Sequence, residues 1–171
     1  MIKEIDNIDI SPILAAYTEL EKDMVWYEGV DRKINLQDVK FKRQVSLQYK
    51  EDEEPWSSAV GRLRVDESLF SNLNPYFKNT IFETLIDKYK LVRSRLMWVP
   101  AFSCYTMHRD PAPRIHIPLI TNPECYFVFK KGIVEHLSSG KVYSVNTTED
   151  HTFMNCSSLP RLHFMGVVTD Q

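Results

Sequence analysis

Residues 114–129 read RIHIPLITNPECYFVF and decide the expected fold, because two short runs of β-branched and aromatic residues flank a segment that contains Asn and Pro. The same alternation of short run and turn continues on both sides. The runs predict strands at Val92–Val99, Arg114–Leu119, Cys125–Phe129, Ile133–Leu137, Lys141–Val145, Thr152–Asn155 and Arg161–Val168. Many short strands at near-regular intervals predict an antiparallel sandwich or barrel.

The first half of the chain is expected to be partly helical. Apolar residues recur at helical spacing over about residues 12–28, which predicts an amphipathic helix that ends before Gly29. Apolar residues share one helical face again at 79–91, so a second helix is expected there. Between the two helices, the alternation in Phe41–Tyr49 indicates a half-buried strand.

The length favours one core. The chain has 171 residues, close to the usual size of one domain. We therefore expect a single α+β, mostly β domain over residues 1–171, with an N-terminal helical segment at about 1–35 and a β core at about 40–168. Hydrophobic residues make up 43% and aromatic residues 12% of the chain, a composition that excludes disorder as its main state.

Charge and cysteine content narrow the partners and the compartment. The formal net charge is −2, so the overall balance attracts neither nucleic acid nor an anionic membrane. No apolar run approaches the roughly 20 residues that a membrane-spanning helix needs, and residues 1–6 lack the apolar stretch of a signal peptide. Three widely spaced cysteines argue against a disulfide framework. We therefore expect a cytoplasmic protein with reduced thiols and with no nucleic-acid or membrane partner.

The tripeptide His108-Arg109-Asp110 is the first candidate for chemistry. Residues two apart on a strand project to the same side, so this imidazole and this carboxylate can converge on one point. A further histidine would complete the two-histidine, one-carboxylate set that leaves open positions on Fe(II) in non-haem oxygenases. The same tripeptide also suits a surface turn before Pro111. The candidates for the third ligand are His136, His151 and His163.

His151 has the most suitable surroundings, since it follows a polar turn at the point where a strand begins. Arg161 opens the next predicted strand ten residues later. If Thr152–Asn155 and Arg161–Phe164 form a hairpin, His151 and Arg161 lie on neighbouring strands, offset by a few residues. A cosubstrate that chelates iron at one end and carries a carboxylate at the other fits that offset, because arginine binds a carboxylate with two hydrogen bonds. Arg161 also suits a surface position that closes the hairpin.

The segment Arg114–Leu119 carries two further basic side chains. Arg114 and His116 are expected on one face of this strand, with Ile115 and Ile117 on the other. Two basic groups on one face can bind the anionic parts of a cosubstrate or substrate, and they equally suit a solvated outer face.

Residues on either side of the metal motif are candidates for the wall of a pocket. Trp98 and Tyr105 flank the strand that carries the motif, which makes a substrate-pocket role plausible for both. Arg93 and Arg95 alternate with apolar residues, so they face either the cosubstrate pocket or solvent.

These motifs form an ordered set. In chain order they are Arg93-Ser94-Arg95-Leu96-Met97, His108-x-Asp110, Arg114-x-His116-x-Pro118-Leu119, Gly140, His151-x-x-x-Asn155 and Arg161. The set resembles the aspartyl/asparaginyl β-hydroxylase family of 2-oxoglutarate- and Fe(II)-dependent oxygenases, which includes relatives that act on free proline. The resemblance covers roughly residues 40–168 and is greatest to the short bacterial or phage-type members.

The resemblance implies a fold and a site. The implied fold is a double-stranded β-helix, a cupin-like jelly roll with N-terminal and flanking helices. The implied Fe(II) ligands are His108, Asp110 and His151. The implied contacts of 2-oxoglutarate are Arg161, which binds its distal carboxylate, with His116 and Arg95. The residues expected to face the substrate are Arg114, Trp98 and Tyr105.

The implied reaction is hydroxylation of an amino acid or amino-acid side chain by O2, coupled to oxidative decarboxylation of 2-oxoglutarate to succinate and CO2. Animal aspartyl hydroxylases have glycine where Asp110 stands here, so the carboxylate favours a free amino acid such as proline over a protein aspartate. Two alternatives remain at this point. One is a catalytically inactive cupin-like binding or structural protein, and the other is a zinc-dependent hydrolase, for which the sequence offers no obvious general base.

Overall fold

The computed structural model describes residues 1–28, 43–61 and 65–168, apart from the side chains of Glu28 and Arg43. The strands are β1 (Ile2–Asn7), β2 (Tyr27–Glu28), β3 (Arg43–Ser46), β4 (Gln48–Tyr49), β5 (Asn72–Leu73), β6 (Leu91–Val99), β7 (Ser103–Cys104), β8 (Arg114–Ile120), β9 (Cys125–Phe129), β10 (Val134–Glu135), β11 (Lys141–Val145), β12 (His151–Asn155) and β13 (Arg161–Val168). The α-helices are α1 (Ser11–Leu20) and α2 (Ile81–Tyr89), and short 3-10 turns occur at Glu21–Asp23, Glu67–Leu69 and Pro75–Phe77.

Two antiparallel sheets face each other. The large sheet has seven strands in the order β1-β11-β8-β13-β6-β3-β2, and the small sheet has four in the order β10-β9-β12-β7. A core cluster draws Val99 and Val145 from the large sheet and Phe127 and Phe153 from the small one, so apolar side chains fill the space between the sheets. The predicted fold class, a mostly β jelly roll of the cupin type with N-terminal and flanking helices, is confirmed.

The helices cover the outer face of the large sheet. Ile13 of α1 and Phe82 of α2 join a second core cluster with Leu96, Ile117 and Phe164. Since side chains alternate along a strand, Leu96 faces the helices while its neighbour Arg95 projects towards the small sheet. No helix in the described ranges is long and apolar enough to cross a membrane.

The second predicted helix, at 79–91, is confirmed as α2, and its ends explain its length. The Thr80 hydroxyl accepts a hydrogen bond from the Phe82 N–H (3.2 Å), which caps the first turn. Lys90 adopts the left-handed conformation (φ 51°) at the other end, so the helix stops there and β6 begins.

The predicted helix over 12–28 is wrong in its second half. α1 ends at Leu20, a 3-10 turn follows, and Met24 is extended (ψ 134°). Val25, which the helical pattern assigned to the apolar face, is 56% exposed. The apolar spacing continues past Leu20 because Met24 is buried, but Met24 reaches the core from an extended backbone. Apolar spacing alone cannot distinguish this arrangement from a helix.

The N-terminal segment also contributes strands that were not predicted. β1 pairs with β11 at one edge of the large sheet, and β2 pairs with β3 at the other. An edge strand with one face in solvent gives little hydrophobic signal, and β1 is largely exposed. Residues 29–35 of the expected helical segment lie outside the described residues.

The predicted strand Phe41–Tyr49 is divided into β3 and β4, and Phe41 lies outside the described residues. It is also not half-buried, because residues 44–48 are all buried. Polar side chains are tolerated here since they are hydrogen-bonded: the Gln48 side-chain amide donates to the Leu91 carbonyl (2.9 Å).

The predicted hairpin between Thr152–Asn155 and Arg161–Phe164 is wrong. β12 lies in the small sheet, paired with β9 and β7, whereas β13 lies in the large sheet between β8 and β6. The intervening turn crosses from one sheet to the other and is held by the Asn155 side chain, whose Nδ2 donates to the Leu159 carbonyl (2.9 Å). His151 and Arg161 therefore belong to opposite walls of the interior rather than to neighbouring strands.

Candidate metal centre

The backbone brings the predicted ligands together along one side of β12. The segment that follows β7 runs antiparallel to β12, and His108 and His151 exchange two backbone hydrogen bonds of 2.9 Å each. The Asp110 N–H then donates to the Thr147 carbonyl (2.9 Å). Because His108 and Asp110 are two residues apart on this extended segment, both side chains can converge beside His151.

The side chains of His108, Asp110 and His151 form a group whose ligand atoms lie within 4.8 Å of one another. The Nε2 atoms of His108 and His151 are 3.9 and 3.7 Å from the Asp110 carboxylate oxygens Oδ1 and Oδ2. Each Nδ1 contacts a backbone carbonyl, of Thr106 (2.7 Å) and Glu149 (2.9 Å) respectively. A carbonyl only accepts, so Nδ1 carries the proton and Nε2 presents its lone pair to the group, the tautomer that metal-binding histidines need.

The ionisation states also suit a metal. Burial raises the pKa of Asp110, but the charge and hydrogen bond of Arg114, together with His108 and His151, outweigh it and hold that pKa below its ordinary value. Burial lowers the pKa of His151, whose ring stacks on Phe127 (5.1 Å between centroids). A carboxylate with neutral imidazoles is the donor set that Fe(II) takes in the two-histidine, one-carboxylate sites. The three residues therefore fit a divalent iron.

A buried ionic group stands behind the carboxylate ligand. The Arg114 Nε donates to Asp110 Oδ2 (2.6 Å), and its Nη2 donates to Glu67 Oε1 (2.9 Å). The same Glu67 oxygen accepts a hydrogen bond from Arg93 Nη1 (2.6 Å). Arg114 was predicted to face the substrate; the structure shows that two of its nitrogens hold Asp110 and Glu67, which orients the metal ligand.

Arg161 lies on the inner face of the large sheet and is fully buried, with 0% of its surface exposed. Its guanidinium carbon is 4.0 Å from the centre of the Phe153 ring. None of its three side-chain nitrogens has a hydrogen-bond partner within the described residues. Burial lowers the pKa of Arg161 to about 10, so the group is still charged at neutral pH. Burying a cation without a hydrogen-bond partner costs free energy of solvation. The N–H groups of Arg161 could recover it by binding a carboxylate ligand in the interior.

Arg161 lies close to the triad despite belonging to the other sheet. Phe153, which it covers, is two residues from His151 on β12, and two residues span about 6.6 Å of strand. A ligand that coordinates a metal at the triad and extends by two residues along β12, or about 6.6 Å, can therefore contact the Arg161 guanidinium. The offset along neighbouring strands that was predicted for His151 and Arg161 is therefore absent, and Phe153 connects the two residues across the sheets instead.

Two buried histidines, His116 and His163, pack against the phenylalanines that connect the triad with Arg161. His116 contacts Phe127 (5.5 Å between centroids) and His163 (5.6 Å). Burial, followed by the charge of Arg161, lowers the pKa of both histidines well below its ordinary value, so both are neutral. His116 Nε2 and His163 Nδ1 have no hydrogen-bond partner within the described residues. His163 was a candidate metal ligand in the sequence, but it lies outside the triad.

The remaining predicted site residues divide between the site and elsewhere. The Tyr105 ring is 6.4 Å from that of His108, so Tyr105 borders the triad. Arg95 is buried on the inner face of the large sheet. The structure does not bring Trp98 to the site, because it faces the helices, where its indole Nε1 donates to the Tyr17 hydroxyl (2.9 Å). The exposed Arg109 pairs with Asp150 at the surface (2.7 Å).

Sequence reasoning missed three residues of this site, Glu67, Phe127 and Phe153. Glu67 is buried on a 3-10 turn and joins Arg93 to Arg114, but nothing in the surrounding residues 65–69 marks it as buried. Phe127, which stacks on His151, was assigned only to a strand. The pairing of β9 with β12 places Phe127 opposite Phe153, and no local sequence signal specifies that pairing.

Neither the models of known protein families nor the curated proteins include a match to this sequence. Solved structures do resemble the chain. An oxidoreductase of the 2OG-Fe(II) oxygenase family from Burkholderia pseudomallei is 12% identical with a TM-score of 0.64, over 97% of this chain and 84% of that one. A prolyl-4-hydroxylase from Pseudomonas putida is 9% identical with a TM-score of 0.57, over 99% and 92%.

A third structure limits what this likeness shows. The DMSP lyase DddQ from Ruegeria pomeroyi DSS-3 is 13% identical with a TM-score of 0.58, over 98% of this chain and 67% of that one. Proteins named for a lyase and for oxygenases thus share the architecture at comparable similarity, and a fold does not specify a reaction. The comparisons establish the jelly-roll fold of this chain.

Proposed function

We propose that the protein is a 2-oxoglutarate- and Fe(II)-dependent oxygenase that hydroxylates an amino acid or an amino-acid side chain, as in the aspartyl/asparaginyl β-hydroxylase family. The observation that carries the proposal is the combination of the His108–Asp110–His151 group with Arg161, a buried guanidinium that has no hydrogen-bond partner in the part of the chain that the structure describes. The related folds of the B. pseudomallei oxidoreductase and the P. putida prolyl-4-hydroxylase support it.

Each side chain has a defined role in this proposal. His108, Asp110 and His151 would hold Fe(II), and Arg161 would bind the distal carboxylate of 2-oxoglutarate. Bound Fe(II) and 2-oxoglutarate would supply the oxidising chemistry, in which 2-oxoglutarate becomes succinate and CO2 and one oxygen atom enters a substrate C–H bond.

The protein's contribution is orientation and exclusion of water. Arg114 fixes the rotation of the Asp110 carboxylate, and the Thr106 and Glu149 carbonyls fix the two imidazoles. Phe127 lies against the His151 ring and Phe153 against the Arg161 guanidinium, and both of these polar groups are buried, which strengthens charge-assisted hydrogen bonds there.

Anaerobic titration with Fe(II) and 2-oxoglutarate tests the proposal. The wild-type protein should develop the weak visible charge-transfer band of the iron chelate and, once O2 is admitted with a substrate, should release succinate. A cupin-like protein without catalytic activity would give no band. A zinc-dependent hydrolase would show no need for 2-oxoglutarate, even if zinc were found in the purified protein.

Variants assign the ligands. Asp110→Ala and His151→Ala should each abolish the band and succinate formation while far-UV circular dichroism is unchanged. His136→Gln is the matched control, because His136 lies outside the triad and contacts the Cys125 carbonyl (2.9 Å). Near-normal turnover in either ligand variant would contradict the triad.

A panel of substrates tests the specificity. Iron-loaded protein is incubated with 2-oxoglutarate and with free amino acids or Asp-, Asn- and Pro-containing peptides, and mass spectrometry looks for the gain of one oxygen atom. The carboxylate at Asp110 favours a free amino acid such as proline, as the family resemblance implies. Oxygen insertion confined to peptides would overturn that preference.

A further inference from the structure

The charges around the triad do not balance. On the inner face, Arg93, Arg95 and Arg114 are buried beside two carboxylates, the buried Glu67 and the half-buried Asp110. Both carboxylates are hydrogen-bonded by Arg93 or Arg114. Arg95 has no carboxylate partner among the described residues. When Asp110 binds a metal cation, the excess of positive charge in this region increases.

Among the residues that the structure describes, Arg95 is held by long contacts with neutral atoms. Its Nη1 donates to Gln44 Oε1 (3.3 Å) and to the Ala59 carbonyl (3.3 Å), and its Nη2 is 3.5 Å from the Met165 sulfur. Its Nε has no partner within the described residues, although the residue is only 7% exposed. Burial, with Arg93 and Arg114 nearby, lowers the pKa of Arg95 to about 9, so it is still mostly charged at neutral pH.

The sheet register places Arg95 away from Arg161. Arg161 pairs with Val99, and Met165 pairs with Arg95, so the two arginines are separated by four residues, or about 13 Å, along β13. Arg114 lies still further in the same direction, since it pairs with Val167. Arg114 hydrogen-bonds the triad residue Asp110 directly. Arg161 instead contacts Phe153, which is two residues from His151 on β12.

We infer that Arg95 binds a carboxylate of the substrate, with a second contact from the buried Nη1 of Arg114, which has no hydrogen-bond partner among the described residues. The inference rests on the proposed function for the reaction and names its substrate class, a carboxylate-bearing molecule. The carboxylate belongs either to a free amino acid or to a side chain in a peptide. Arg95 was expected to contact 2-oxoglutarate, and its separation from Arg161 instead provides a distinct anion site.

The first measurement is calorimetric titration of the metal-free protein. The probes are L-proline and N-acetyl-L-aspartic acid α-amide, with L-prolinamide and N-acetyl-L-asparagine amide as counterparts in which a neutral amide replaces the carboxylate. We expect at least one carboxylate to bind more tightly than its counterpart and to lose about tenfold or more in affinity in Arg95→Met. Preference for proline identifies the main-chain carboxylate, and preference for the aspartyl amide identifies the side-chain carboxylate.

The second measurement is stability, which separates a binding role from a structural one. Replacing a buried guanidinium that has no carboxylate partner among the described residues by an apolar side chain of similar length removes its desolvation cost, so Arg95→Met should leave the ligand-free Tm unchanged or raise it. Arg93→Met is the comparison, because it breaks the hydrogen bond with Glu67 and should lower the Tm. Lys141→Gln controls for the loss of a distant surface cation, which pairs with Glu4.

The inference is overturned if neither carboxylate binds more tightly than its amide counterpart, if Arg95→Met binds them as wild type does, or if its Tm falls as far as that of Arg93→Met. Repeating the titration with Fe(II) and 2-oxoglutarate keeps the two proposals distinguishable. Carboxylate binding that depends on Arg95 without a charge-transfer band would refute the oxygenase and support this site. A band without that dependence would do the opposite.

Discussion

The inner face of the large sheet carries two groups of buried arginine that differ in their partners. At the Glu67 end, Arg93 and Arg114 share one oxygen of Glu67, at 2.6 and 2.9 Å. At the Arg161 end, a fully buried guanidinium lies on Phe153 beside the neutral His163, and none of its nitrogens has a partner within the described residues.

The difference separates structural charges from charges available to a ligand. A buried ion pair that is hydrogen-bonded on both sides has its desolvation cost offset inside the protein, so removing one member leaves an uncompensated charge. The desolvation cost of a buried cation without a partner is offset only when an anion binds to it. The ligand-free protein is therefore less stable than it would be with an apolar residue at that position. The two ends should therefore respond in opposite ways to neutralisation.

The largest expected effect is at the Glu67 end. Glu67→Gln leaves Arg93 and Arg114 buried without their shared carboxylate, and it should lower the free energy of unfolding by roughly 3–5 kcal/mol. Urea denaturation at neutral pH measures the change. Glu124→Gln, at an exposed position, is the matched control and should leave the midpoint nearly unchanged. A loss below about 1 kcal/mol would mean that the Glu67 end is no more structural than a surface pair.

The Arg161 end should respond in binding rather than in stability. Arg161→Met should raise the 2-oxoglutarate concentration needed for the charge-transfer band by about ten- to a hundredfold, since a hydrogen bond to a charged group contributes roughly 1.5–3 kcal/mol. The Tm without ligand should stay the same or rise, because the substitution removes an unpaired buried charge. Unchanged 2-oxoglutarate affinity, or a marked loss of Tm, would place Arg161 with the structural arginines.

The contrast also shows what local sequence can predict. The strands of the second half and the α2 helix were predicted closely, because their period and turn residues are local properties. The end of α1 at Leu20 was not predicted, because the buried Met24 continues the apolar spacing from an extended backbone. The edge strand β1 was not predicted either, because a largely exposed strand gives little apolar pattern.

The candidate site divides in the same way. His108 and Asp110 converge through a two-residue spacing, so the sequence was sufficient to group them. The position of Arg161 opposite His151, the burial of Glu67 and the outward turn of Trp98 all depend on which strands pair. Pairing is set by long-range packing, and a single sequence does not display it.

The smallest expected effect is on pH dependence at the Arg161 end. Burial, followed by the charges of Arg161 and His116, lowers the pKa of His163 in the folded chain well below the ordinary value that it recovers on unfolding. Below pH about 6.5 the unfolded chain therefore binds more protons, and stability falls as the pH falls, by up to about 1.4 kcal/mol per pH unit for one histidine. Above that pH, the contribution of His163 is constant.

His163→Leu removes this one titration and keeps the packing against Phe153. Between pH 7.5 and 5 the urea midpoint should fall less in the variant than in the wild type, and the difference in slope should correspond to at most one bound proton per molecule. His116 titrates in the same direction and is present in both proteins, so the difference between the profiles reports the titration of His163 together with its coupling to His116. Parallel pH profiles would mean that His163 accepts its proton without unfolding, and that the interior beside Arg161 tolerates a second cation. Water in the interior, rather than a carboxylate partner, would then offset the charge of Arg161, and the two ends would differ in how their arginines are solvated.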